Sequence, residues 1–185
     1  MLKSLTGTKF EITFVQDRDG MPDFIVSLFL KAQEGDGITP HLLERHEIES
    51  YLIEPALIET AARQVGRKVT EAQAIKAVLE AAGALKAEAR TVSHETAKGV
   101  NRHLEQGDQL KDKDLEIKVN AWFDGLDLTS LDVVRRVFPG RELLRETLKL
   151  VNVGSSKQIT RGNLVASVSK NVVSIDLQNL LEKLG

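Results

Sequence analysis

Two carboxylates one residue apart, Asp17 and Asp19, follow directly on an apolar stretch and precede Gly20. Aspartates at the carboxyl end of a strand sit where open α/β sheets bind their ligands, and paired oxygen donors suit Mg²⁺ or Mn²⁺. Cations held there would polarise a phosphoryl oxygen, lower the pKa of a bound water and neutralise a leaving oxygen. The same residues also read as a solvated turn, since Asp and Gly dominate turns. Further along, Arg45-His46-Glu47-Ile48-Glu49 supplies more acid. On a regular helix positions 47 and 49 point about 200° apart, so at most one could face a given metal. The histidines at 41, 46, 94 and 103 show no i,i+4 pairing and no zinc-type spacing, and a histidine ligand set is not expected. Arg135, Arg136, Arg141 and Arg145 make the most concentrated basic patch. Arg141 and Arg145 share a helix face that could meet a phosphate or simply face solvent.

The elements that must position these groups follow from local pattern. KFEITFVQ (9 to 16) alternates Phe10, Ile12 and Phe14 on one face and predicts a strand. Pro22 and Asp23 open a helix, and ITPHLL (38 to 43) is a second strand, with Pro40 favouring an edge or strand end. From residue 44 the pattern is helical. Pro55 suits a first helical position, and Thr70 with Glu71 starts a long amphipathic helix or helical hairpin reaching about residue 106. Residues 106 to 116 form a polar joint. Pro139-Gly140 opens RELLRETLKLV, and Thr160 and Ser174 look like N-caps of the last two helices. The expected architecture is α/β: a strand-helix-strand unit over 1–53, a helical insertion or arm over 54–110, and a mostly helical part over 111–185.

Composition narrows the chemistry. The chain has 185 residues, 42% hydrophobic, enough for a core of its own. Lys and Arg total 25 against 27 Asp and Glu, a formal charge of −2 that excludes a polybasic binder. With no cysteine, zinc ribbons, iron-sulfur clusters and thiol nucleophiles are excluded. Aromatic residues, at 4%, are too sparse for a base-stacking platform. No long apolar run or leader-like N-terminus is present, and the expected location is the cytoplasm, without membrane contact.

FVQDRDG, then LLERHEIESYLIEPALI, then FPGRELL with ITRGNLVASV and SIDLQNLLEKL, resemble in order and spacing the C-terminal part of the OLD-type (overcoming lysogenization defect) endonucleases. Those are ABC-type ATPases carrying a Toprim nuclease domain, active in phage defence or DNA processing. The similarity runs from about residue 9 to 184, although 70 to 120 matches only in being helical. It implies a partial Toprim-like unit in which Asp17 and Asp19 are the DxD metal ligands and Glu49 completes or supports the metal site. It also implies that Arg141, where the family commonly has Lys, keeps charge for a phosphate but gives up a deprotonatable amine. The implied partners are DNA, an ATPase domain in cis or on another chain, and a second copy of the chain as a homodimer.

Toprim folds also need a glutamate at the end of an earlier strand. Only 16 residues precede Asp17, and Glu11 would stand about 20 Å from it along an extended strand. No phosphate-binding G-x-x-x-x-G-K-[ST] occurs. The chain is accordingly expected to be a C-terminal fragment or the second half of a split gene, weak or inactive alone. Two competing readings are a non-catalytic helical interaction module and a haloacid-dehalogenase-like phosphatase with Asp17 as nucleophile. The latter calls for Thr or Val where Met21 stands and for a later G-D-x-x-x-D, neither of which is present.

Overall fold

The computed structural model describes residues 12–33 and 38–168. Phe10 of the expected strand and the expected helix capped by Ser174 lie outside them. Strand β1 (Ile12–Gln16) and strand β2 (Ile38–Leu42) pair in parallel, Ile12 beside Ile38 and Gln16 beside Leu42. Helix α1 (Asp23–Gln33) lies between them in sequence and packs on β2. The ladder continues one step, with the Leu43 amide donating to the Gln16 carbonyl at 2.9 Å. Both strands therefore release their chains at the same end, which brings Asp17 and residues 44–47 together.

The rest is helical: α2 (Pro55–Gln64), α3 (Glu71–His103), α4 (Asp112–Asp124), α5 (Leu131–Val137), α6 (Gly140–Asn152) and α7 (Arg161–Ser167). The starts are locally encoded. Pro55 occupies the first turn of α2. Thr70 and Thr160 each form a capping box with the side chain three residues on, Gln73 and Asn163, satisfying amides that a helix start leaves unpaired. Helix α4 begins within the expected polar joint, because Asp112 and Asp114 in its first turn suit the positive end of a helix dipole.

Helix α3 runs unbroken for 33 residues, resolving the choice between one helix and a hairpin. It buries Ala74, Ala77, Val78, Ala81, Ala82, Leu85, Ala89, Ser93, Ala97 and Asn101, a seam at helical spacing. Small residues there let neighbours come close, and α3 packs against α1, α2, α4, α5 and α6. Helix α3, inside the 54–110 stretch read as a helical insertion or arm, is the spine on which these helices pack. One apolar cluster joins its first half to α2, α4, α5, α6 and α7 through Ile58, Phe123, Val134, Phe138, Leu143 and Leu164. A second joins its far end to α1 and α4 through Ile25, Phe29, Ala97, Leu115 and Val119. Among the described residues no helix is long and apolar enough to cross a membrane.

Candidate metal centre

After Gln16 the chain leaves β1 as Asp17-Arg18-Asp19-Gly20. Asp19 and Gly20 take left-handed backbone conformations, with φ of 49° and 64°. Asp is among the few side chains that tolerate this region, and Gly20 is required twice over. A Cβ at Gly20 would lie 3.0 Å from the Val137 carbonyl and 3.1 Å from His46 Nε2. The turn is held from outside: the Asp19 amide donates to the His46 carbonyl at 2.8 Å, and Thr96 Oγ1 of α3 donates to the Asp19 carbonyl at 2.8 Å. Arg18 is buried and ion-paired with Asp23, whose other oxygen accepts from Trp122 Nε1. The cation between the two aspartates is thereby used up in the fold rather than offered to the site.

The second segment departs from its expected helix. Residues 44–47 are bends, followed by one 3-10 turn over Ile48–Leu52. The His46 amide donates to the Arg135 carbonyl and Arg45 donates to the Ser50 carbonyl, so backbone groups find partners without a regular helix. Glu47 is extended, at φ −145° and ψ 166°. The 200° separation calculated for a helix does not apply, and both glutamates reach the same cluster. Glu47 Oε2 accepts the Arg141 backbone N–H at 3.1 Å, at the start of α6. Gly140 permits that approach: a Cβ there would overlap Ser50 Oγ and lie 2.8 Å from the Ser50 nitrogen. Glu49 is buried, its Oε1 3.3 Å from an Arg161 terminal nitrogen and 3.8 Å from Arg141 Nε.

Asp17, Asp19, Glu47 and Glu49 therefore form one acidic cluster. Burial, then the nearby Glu49, raises the Asp17 carboxyl, against a hydrogen bond from the Ile48 backbone. Burial and then Asp17 raise Asp19. Glu47 is raised by burial and by Glu49, Glu142 and Asp19, against the hydrogen bond from Arg141. The carboxylates repel one another in a partly dehydrated setting, which favours protons or a cation among them. Asp19, His46 and Glu47 each bring one donor atom into a group whose members all lie within 4.8 Å of one another. His46 is 1% exposed, and burial pushes its imidazole down to about 4, so it is neutral at pH 7.

The site residues read from sequence converge here: Asp17, Asp19 and Glu49 in the cluster and the exposed Arg141 at its rim. Glu47, left open as an alternative to Glu49, joins them, and so does His46, which was not expected as a ligand. The expected basic patch is not one surface. Arg135 is buried against Glu54 and Asp132, Arg136 faces Asp23 at 3.6 Å, and Arg145 pairs with Glu146. Arg161, which sequence reasoning did not single out, joins Arg141 beside Glu49. No family model matches the sequence, and no curated protein or solved structure matches it.

Proposed function

We propose that the chain is the metal-dependent, DNA-cleaving Toprim part of an OLD-like ATPase-nuclease, working with an ATPase domain in cis or on another chain. The observation that carries this reading is the convergence of Asp17, Asp19, Glu47 and Glu49 at the carboxyl ends of two parallel strands, with Arg141 and Arg161 beside them. Asp17, Asp19 and Glu47 would hold Mg²⁺ or Mn²⁺. What a bound divalent cation supplies is polarisation of a phosphoryl oxygen and a water of lowered pKa. Glu49 holds Arg141 and Arg161 at the rim, where their guanidiniums would meet the anionic backbone and balance charge developing on the phosphate. A net charge of −2 does not oppose this, because the attraction for DNA is local to the rim and the cation.

Metal binding and plasmid nicking test it together. Mn²⁺ should bind in the micromolar to millimolar range, and any Mn²⁺-dependent nicking should fall by roughly 10³-fold or more on Asp17→Asn or Asp19→Asn, as when groups act as a unit. Identical calorimetric heats for wild type and the double variant, or nicking that survives both substitutions, would overturn it.

A further inference from the structure

We infer that His46 is a ligand in this cluster, which makes the centre a mixed nitrogen and oxygen site for a transition metal such as Mn²⁺, Co²⁺ or Zn²⁺ rather than an all-oxygen Mg²⁺ site. The inference rests on the reading of the cluster as a cation site and adds what kind of cation it selects.

The imidazole is 1% exposed, yet neither ring nitrogen has a hydrogen-bond partner among the described residues. A buried polar group left unpaired is costly, and such groups in folded proteins point to a missing ion or water. The ring is also held in place. Its amide is bonded to Arg135, its carbonyl accepts from Asp19, and Gly20 leaves no Cβ to displace Nε2. Nδ1 stands 3.5 Å from Glu47 Oε1. Metal–ligand bonds of about 2.0 to 2.2 Å place neighbouring donor atoms about 3 to 3.5 Å apart, so this separation and the 4.8 Å envelope around Asp19, His46 and Glu47 need little adjustment to close on one ion. Imidazole suits transition metals, whereas Mg²⁺ takes oxygen donors and keeps its waters.

Pulsed EPR of the Mn²⁺-loaded full chain reads the ligand directly, through the hyperfine coupling of a coordinated ¹⁴N. One such nitrogen is expected, unchanged when His41→Gln, His94→Gln and His103→Gln are combined and undiminished by about a hundredfold excess of Mg²⁺. His46→Asn should abolish the coupling and weaken Mn²⁺ binding by at least the roughly 10- to 100-fold that loss of a mere supporting contact costs. If His46→Asn does not fold, the triple variant decides. Mn²⁺ bound with no nitrogen coupling, or a coupling lost in the triple variant, overturns the role of His46 while leaving a carboxylate cation site standing. No Mn²⁺ binding at all overturns both readings.

Discussion

The helical body and the loops at the strand ends follow opposite rules. In the body, α3 presents a seam of alanines and aliphatic side chains, and its neighbours bury Phe123, Phe138, Leu143 and Leu164 completely or nearly so. The body's buried Arg135 is paired with Glu54 and Asp132. At the strand ends four carboxylates crowd together, Asp19 and Gly20 adopt left-handed backbone, and the buried His46 ring has no hydrogen-bond partner among the described residues. The body supplies the stability that lets the loops hold an arrangement they would not adopt alone.

The contrast predicts that damage to the body is costly and unspecific. Phe123→Ala should cost about 3 to 5 kcal/mol of unfolding free energy, the scale for emptying a buried aromatic site. Chemical denaturation would measure this, and Mn²⁺ affinity of the remaining folded fraction should be unchanged. A selective loss of metal binding would blur the division between the two regions.

Glycines sharpen it, because the same substitution should act with opposite sign. Gly140→Ala forces a methyl into Ser50 and should destabilise by about 1 to 3 kcal/mol while weakening Mn²⁺ binding, since the Arg141 amide that anchors Glu47 must move. Gly83, exposed on α3 with nothing within 4 Å of a Cβ, should give about 0.5 to 1 kcal/mol of stabilisation as Ala. Equal effects at the two positions would mean that the close approach at Gly140 is not a constraint.

The smallest effect should be the most diagnostic. Asp19→Asn keeps a residue type tolerant of left-handed backbone and removes one repelling charge, so the metal-free protein should gain about 0.5 kcal/mol near pH 7. The sign follows from protonation. The Asp17, Asp19 and Glu47 carboxyls are raised in the fold, so the stability they lend is present below their unfolded values and lost as pH rises through the folded ones. His46 works the other way, since its pKa falls from 6.5 to about 4 and its contribution is lost as pH drops through that interval. Comparing the variant with wild type cancels His46 to first order, and the gain should vanish towards pH 4. Thermal melts from pH 4 to 7.5 without metal would show it; a gain independent of pH would assign the effect to backbone preference instead.

What sequence could reveal divides along the same line. The strand ending at Gln16, the caps at Thr70 and Thr160, and the helix start after Pro139 are written in neighbouring residues and were legible. Continuity of α3 through Gly83 and Gly99 was not, because the packing of many neighbours outweighs two weak helix formers. Nor was the shape of residues 44–52, which depends on bonds to Arg135 and Arg141 far along the chain. Helical spacing allowed only one of Glu47 and Glu49 at a metal and the resemblance pointed to Glu49, but the segment is not a regular helix. His46 escaped because the search for i,i+4 pairs finds ligands on one helix, not ligands meeting from two strand ends. The arginine patch failed for a related reason: proximity in sequence says nothing of which guanidiniums a fold consumes internally.

The bond from the Arg141 amide to Glu47 joins residues 94 apart, and the one from Thr96 to Asp19 joins residues 77 apart. On a ribosome making roughly 5 to 20 residues per second, Arg141 emerges about 5 to 20 s after Glu47. Until Thr96 has been made the acidic turn lacks the α3 hydroxyl that fixes its carbonyl, and until Arg141 has been made it lacks the α6 amide that fixes Glu47. The nascent chain is thus a poor host for a cation until α6 has been made.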